Sequence, residues 1–308
     1  MGGGARVELV GVVPAAGRSG PVNGMHALQR HLARRLATDR GLAAWFSIVP
    51  SWSRGADVVP WFWSTKQRAD AVACAKTGRP FVEGPNVLFL QSRRPRIDVQ
   101  ESALLDASSC RAMFCHSPWY RDLIARHRGK ASRGPIVLWP YPIDPVPGGP
   151  LPIEYDLLVY DKSKAAGCSR LLARLSRVFP RSIVLRYGSY DRRALFDAAQ
   201  RARACAYVTD DDHGPLALQE ILLAGCPVAG VRTGAAFVED GASGTLTPRL
   251  PQGKSAPDVD IDAFVAAVER ARMLDRDAVR GWALRAFDAD RIVDVVVDAL
   301  QAARAAPS

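Results

Sequence analysis

Residues 204–231 constrain the fold more than any other stretch of the chain. Ala204-Cys205-Ala206-Tyr207-Val208-Thr209 is an apolar run of strand length. It empties into Asp210-Asp211-Asp212-His213-Gly214-Pro215, an acidic turn with a Gly-Pro step. An apolar helix is predicted from Leu216 onward, with Glu220 eight positions after Asp212, and Gly225-Cys226-Pro227-Val228 stops it and opens another strand. Strand, turn, helix, glycine stop and strand make one βαβ unit, the building block of a parallel sheet with helices on its faces. Charge and glycine gather at the carboxyl end of the first strand. Open α/β sheets bind ligands at that edge, where a helix start can hold an anion.

The rest of the chain repeats this alternation. At 308 residues it has the length of about two domains. Residues 7–13 read as a buried strand, followed by a loop with Gly17, Gly20 and Gly24 and a helix over 25–37 that places Leu28, Leu32 and Leu36 on one face. Strands are predicted over 44–49, 80–90, 112–116 and 136–139. The second of these empties into Arg93-Arg94-Pro95-Arg96, and His116 ends the third. Ser117-Pro118-Trp119 is expected to cap and start a helix, with proline at its favoured first position. Residues 140–152 carry six prolines and two glycines, which excludes a packed helix or a central strand. That stretch reads as a linker between a domain over 1–146 and a domain over 147–308. Strands and helices resume over 155–160, 169–177, 182–186, 192–203, 204–209, 227–231, 244–247 and 261–274, with a terminal helical region to about 304. The expected class is α/β, with two doubly wound, Rossmann-like domains facing a central cleft.

Charge divides unevenly. Residues 1–150 hold 20 Lys and Arg against 10 Asp and Glu, whereas residues 151–308 hold 21 of each, so the net +10 lies in the first half. A one-sided basic field attracts polyanions or anionic surfaces. No apolar run approaches the roughly 18 residues that span a bilayer. The start lacks the basic-then-apolar shape of a signal peptide, and the six cysteines are scattered without a Cys-x-x-Cys pair. These features point to buried reduced thiols and a cytoplasmic protein, with a peripheral place at the inner membrane surface as an option. A Rossmann dehydrogenase is disfavoured, because neither half shows Gly-x-Gly-x-x-Gly with an acid about 20 residues on.

The 212–228 segment resembles a signature of the retaining nucleotide-sugar glycosyltransferases of family 4, which have the two-domain GT-B fold. That signature has two acids eight positions apart, Phe and Gly between them, and a following Gly-x-Pro-Val. Here Asp212 stands for the first Glu, His213 for the Phe and Gly214 for the Gly. Glu220 stands for the second Glu, and Gly225, Pro227 and Val228 complete the pattern. Asp in place of Glu shortens the first carboxylate by one methylene. The resemblance implies transfer of a hexosyl or pentosyl group from a nucleoside-diphosphate sugar to an acceptor hydroxyl, with retention. It implies no metal or other cofactor, and a last helix that packs back on the first domain.

Transfer of this kind must hold the nucleotide, neutralise the departing diphosphate and bring an acceptor hydroxyl to the anomeric carbon. Glu220 is the candidate for the ribose, since a carboxylate can accept from both vicinal hydroxyls. Asp212 would meet donor-sugar hydroxyls, with His213, Gly214, Pro215 and Leu216 shaping the pocket. The resemblance implies cations after the first strand of the second domain, and Lys162 and Lys164 stand there, with Arg170 in reserve. Gly188 is a candidate to flank the base, and Gly20 and Gly24 to let the diphosphate approach the backbone. His116 is the candidate of the first domain for acceptor or donor sugar, beside Trp119, with Arg93, Arg94 and Arg96 on the acceptor side. The catalytic set so drawn is Asp212, Lys162 and His116.

Several alternatives stand beside this reading. Asp210-Asp211-Asp212 after a strand suits the GT-A architecture, which holds a divalent metal on the diphosphate. The acceptor could be lipid-linked at an anionic membrane, or nucleic acid carrying a hydroxylated base, as in phage-type modification. Trp61-Phe62-Trp63 would serve either picture by inserting into lipid or stacking on bases, and otherwise forms a core strand. The chain could also be a non-catalytic polyanion-binding protein of the same fold.

Overall fold

The computed structural model describes residues 5–11, 24–63, 67–84, 99–145, 148–163, 168–251 and 257–306. Gly20, residues 85–90, Arg93, Arg94, Arg96 and Lys164 lie outside the described residues. In chain order the elements are β1 (Arg6–Val10), α1 (Gly24–Thr38), α2 (Arg40–Ala43), β2 (Phe46–Val49), β3 (Val58–Phe62), α3 (Arg68–Thr77), β4 (Phe81–Glu83), α4 (Val99–Asp106), β5 (Cys110–Cys115), α5 (Pro118–His127) and β6 (Ile136–Leu138). They continue with β7 (Leu157–Asp161), α6 (Ser169–Val178), β8 (Ser182–Arg186), α7 (Arg192–Arg201), β9 (Cys205–Val208), α8 (Leu216–Leu223), β10 (Val228–Val231), β11 (Gly244–Thr247), α9 (Asp258–Ala271), α10 (Arg276–Ala286) and α11 (Ala289–Ala305). The chain divides into two compact units, Met1–Ile143 with Ala289–Ser308, and Asp144–Asp288.

The first unit carries a parallel sheet in the order β2-β1-β3-β4-β5-β6. Parallel strands covered on both faces need continuous apolar runs, and β3 is buried along its whole length. Pro60 removes one ladder donor from β3, which still pairs with β1 and β4. Trp61, Phe62 and Trp63 are fully enclosed, so they form core and present no surface to lipid or bases. Trp61 packs on Phe114 with centroids 4.8 Å apart, and its indole N–H donates to the Gly84 carbonyl at 2.5 Å. Helix α11 buries Ile292, Val293, Val296, Leu300 and Ala303, the face expected of helical spacing, and contacts α1, β1 and β5. The start of α5 departs from expectation. Ser117 has extended backbone, but its buried hydroxyl caps nothing, and Pro118 alone supplies the start.

The second unit carries a parallel sheet in the order β11-β10-β9-β7-β8. Helix α9 places Ile261, Phe264, Val265 and Val268 on one stripe against β10 and β11, and α6 adds Leu171 and Leu175 to the same core. The proline-rich stretch is tied down on this side. Leu151 N–H donates to the Gln200 carbonyl at 2.8 Å, and Gln200 Nε2 donates to the Gly149 carbonyl at 3.1 Å. Buried Arg276 donates to the carbonyls of Leu151 and Gln200. All six cysteines are buried and free, and burial pushes the thiols of Cys110, Cys115 and Cys226 up to about 12.

Gly225, which stops α8, has φ +79°, and a Cβ there would stand 2.6 Å from Pro150 Cγ and 2.8 Å from the Arg276 carbonyl oxygen. Left-handed backbone and lack of room act together. Gly225→Ala is expected to destabilise the protein by about 1–3 kcal/mol in urea unfolding, with the midpoint moving and the slope unchanged.

Candidate functional site

The sheet order of the second unit places the carboxyl ends of β8, β7 and β9 side by side, and three chemistry-bearing segments leave from them. Lys162 follows β7 and extends the ladder by donating its N–H to the Val208 carbonyl at 3.0 Å. Tyr187 and Gly188 follow β8. The acidic turn follows β9. Lys162 Nζ lies 2.8 Å from Asp212 Oδ2, and Tyr207 Oη donates to the same oxygen at 2.8 Å. Asp212 is 3% exposed, so its carboxylate exchanges water for an ammonium and a phenol. Removing either partner would leave a buried charge short of compensation.

Tyrosines build the wall behind this pair. Tyr160 and Tyr207 are register partners on β7 and β9 and stack with centroids 4.9 Å apart and planes 9° apart. Tyr190 Oη donates to Tyr160 Oη at 3.1 Å. Burial drives the phenols of Tyr160, Tyr207 and Tyr190 upward, so Tyr207 stays protonated and donates to Asp212 throughout the neutral range. On the open side, the Tyr187 ring, 64% exposed, lies under Lys162 Nζ at 4.8 Å from its centroid.

The backbone of the acidic turn is fixed from beneath. Asp212 N–H donates to the Thr233 carbonyl at 3.0 Å, and the Thr233 hydroxyl donates to the Asp210 carbonyl. A Cβ on Gly234 would stand 2.3 Å from the Thr209 carbonyl oxygen, so only glycine lets the loop after β10 close on this turn. Pro215, not Asp212, occupies the N-cap of α8, and Leu216 N–H donates to the Gly214 carbonyl at 2.8 Å. The Leu216 amide is therefore engaged within the turn, while His213 and Gly214 are half-buried at its rim.

A second charge pair stands one helix away. Glu220 on α8 is 4% exposed, and Arg192 Nε donates to its Oε1 at 2.6 Å. Burial pushes the Glu220 carboxyl up, and the Arg192 guanidinium opposes that shift. Arg192 is the first residue of α7, whose N-cap Asp191 accepts from Ala194 N–H at 2.7 Å, and its guanidinium lies 4.7 Å from the Phe196 ring centroid. The Tyr190 phenol feels the charges of both Glu220 and Asp212. Gly188 has φ +82° and open space where a Cβ would be. Arg170, the reserve cation, is exposed on α6 and paired with Asp258.

The expected residues thus fall in two places. Asp212, Lys162, His213, Gly214, Pro215, Leu216, Gly188 and Glu220 belong to the second unit. His116, Trp119 and Gly24 belong to the first. His116 is buried at the end of β5, its Nδ1–H 3.2 Å from the Trp139 carbonyl and its ring 3.9 Å from that of Tyr141. A carbonyl only accepts, so that contact fixes the proton on Nδ1. Trp119 is buried on α5 beside Tyr120, and Gly24 is the first residue of α1. Sequence reasoning missed Tyr160, Tyr207, Tyr190 and Arg192. The matching places of Tyr160 and Tyr207 near the ends of two apolar runs were a readable signal for the stack. Among the described residues no three His, Cys, Asp or Glu side chains gather as a metal group, and no helix is long and apolar enough to cross a membrane.

No protein-family model matches the chain, and no curated protein matches it by sequence. Solved structures match it by fold. HepE of Anabaena, in complex with UDP and glucose, aligns over 97% of this chain and 100% of its own, with TM-score 0.61 and 13% identity. The lipopolysaccharide outer core galactosyltransferase WaaB in apo form aligns over 96% and 99%, with TM-score 0.58 and 11% identity. The GtfA/B complex aligns with 80% of this chain at TM-score 0.61 and 12% identity, and this chain spans 57% of that one. Two doubly wound parallel sheets and these likenesses establish the GT-B fold, which leaves the GT-A reading of the three aspartates without its scaffold.

Tyr207→Phe keeps the stack on Tyr160 and removes one donor from a buried carboxylate. It is expected to lower stability by about 1–3 kcal/mol in urea unfolding at pH 7. Tyr187→Phe, on the exposed side of the same lysine, is expected to stay within about 0.5 kcal/mol of wild type.

Proposed function

We propose that the chain is a glycosyltransferase that moves a sugar from a nucleoside-diphosphate sugar to an acceptor hydroxyl. The observation that carries the reading is the pairing of Lys162 with buried Asp212 at the carboxyl ends of parallel strands, one helix from buried Glu220. The fold shared with HepE, whose structure holds UDP and glucose, supports it. In this reading Glu220 accepts from the ribose hydroxyls and Asp212 from hydroxyls of the donor sugar. Lys162 turns to the diphosphate as the bond between C1 and the phosphate oxygen breaks and charge grows on the leaving group. The acceptor oxygen bonds to C1, and its proton passes to an oxygen of the departing diphosphate. We propose retention of configuration and independence of metal as parts of the same mechanism. His116 in the first unit is proposed to contact the acceptor or the donor sugar.

The test pairs wild type with Glu220→Ala in thermal unfolding with UDP, GDP, ADP and dTDP. A nucleotide at about 100 times its dissociation constant stabilises by roughly 2.7 kcal/mol. One nucleotide is expected to stabilise wild type and to lose its effect in the variant. Silence of all four on wild type would overturn the reading.

The acceptor is proposed to be presented on an anionic membrane surface. The unit formed by Met1–Ile143 and Ala289–Ser308 holds 22 Lys and Arg against 12 Asp and Glu, while Asp144–Asp288 holds 19 of each. An excess confined to one folding unit suits an anionic surface, at roughly 1 kcal/mol per basic residue near it. In flotation assays the protein is expected to bind vesicles of mixed phosphatidylglycerol and phosphatidylcholine, to release above about 0.5 M salt as screening tightens, and to ignore pure phosphatidylcholine. Binding of duplex DNA with no binding to the anionic vesicles would favour a nucleic-acid acceptor instead.

A further inference from the structure

Glu220 has a problem that its proposed role sharpens. A carboxylate that receives a ribose must be accessible on one oxygen and fixed in direction, yet it stands in a site 4% exposed on a helix of apolar neighbours. Arg192 meets that need from the next helix. Its position is set by the N-cap of α7, its guanidinium lies over the Phe196 ring one turn along, and its Nε reaches Glu220 Oε1 at 2.6 Å. A planar guanidinium seated on a ring and bonded to one carboxylate oxygen holds that carboxylate in a single orientation, which a lysine cannot reproduce.

We infer that Arg192 is the positioning residue for ribose recognition: it occupies Glu220 Oε1 and so directs Oε2 at the vicinal hydroxyls of a ribonucleotide, without touching the sugar itself. The inference rests on the donor-site reading of Glu220. It makes the preference for a ribonucleotide over a nucleotide lacking those hydroxyls a property of the Arg192–Glu220 pair.

The pair also sets a pH dependence. The groups facing Glu220 are Arg192 on α7 and Tyr190 in the turn before it. Helix α10 packs on α8 from another side, where Arg280 donates to the Leu223 carbonyl and Arg276 to those of Leu151 and Gln200. With Arg192 removed, burial acts on Glu220 unopposed and its carboxyl titrates higher. Binding that needs the ionised form is then lost as pH falls and regained as pH rises.

The experiment is calorimetric titration of the full chain with UDP, GDP and ADP, and with their 2′,3′-dideoxy counterparts, between pH 5.5 and 8.5. Wild type, Arg192→Gln, Arg192→Lys and Glu220→Gln are compared, each checked first by thermal melting. Arg192→Gln is expected to weaken the preferred ribonucleotide by about tenfold at pH 6, the loss of one charge-assisted hydrogen bond, and by less at pH 8. The dideoxy form should bind wild type and this variant alike. Arg192→Lys should fall between them, and Glu220→Gln should be weak at every pH. If Glu220→Gln abolishes the preference for ribose while Arg192→Gln keeps it, or if Arg192→Gln weakens both forms equally, the inference falls and the donor site stands. If wild type binds none of the three ribonucleotides, the inference falls together with the reading of Glu220 as the residue that receives the ribose.

Discussion

The second unit is organised around one buried carboxylate oxygen. Asp212 Oδ2 takes an ammonium hydrogen from Lys162 and a phenol hydrogen from Tyr207, both at 2.8 Å. A charge this enclosed is tolerated only with such partners, because an unpaired carboxylate away from water costs several kcal/mol. The partners come from strand neighbours, which explains why the site lies where it does. Parallel pairing of β7 with β9 sets Tyr160 beside Tyr207 and brings Lys162 level with the turn that carries Asp212. Neither acid nor cation could be placed so by a single loop.

What the sequence made legible was local. The strand, acidic turn, helix and glycine stop between residues 204 and 231 are contiguous, and Gly225 stops the helix with the positive φ that only glycine adopts at no cost. The doubly wound class follows from repeating that unit. Strand β3 was harder to read, because Pro60 interrupts its pattern and only the flanking bulk of Trp61-Phe62-Trp63 hinted at core. Helices α3 and α4 were missed altogether. Ser117 looked like a cap by residue type, yet its hydroxyl is enclosed, and residue type alone does not report where a side chain ends up. The site divides along the same line. Asp212 and Glu220 stood out because they are eight apart in one segment. Arg192 reaches Glu220 from 28 residues away, and Lys162 reaches Asp212 from 50, distances over which only the sheet order makes neighbours.

The first unit shows how charge and aromatic content can mislead together. Trp61-Phe62-Trp63, in the half of the chain that holds the excess of arginine, suggested a surface for lipid or bases. Folding withdraws the largest rings into the core, where Phe114 packs on both Trp61 and Trp139. Trp52 stays partly outside, with the guanidinium of Arg79 4.5 Å from its ring centroid. The net charge survives this sorting, because Lys and Arg cannot follow the rings inward without partners. On the proposed reading, attraction to an anionic surface is left to side chains that hold it by charge, and such contacts yield to salt where inserted rings would not.

The two charge pairs of the second unit also share a thermodynamic logic. Lys162 is paired with Asp212 and Arg192 with Glu220, so both of these cations are matched by an acid before a ligand arrives. On the proposed reading, a diphosphate that draws Lys162 away exposes Asp212 to a second negative charge at close range. Two anions cannot share that place cheaply in a low dielectric. Donor-sugar hydroxyls would relieve the conflict by giving Asp212 new hydrogens in place of the ammonium, whereas a bare nucleoside diphosphate offers none. The same carboxylate that organises the strand ends would then favour the complete donor over the spent one, and the departing product would leave as Lys162 returns to Asp212.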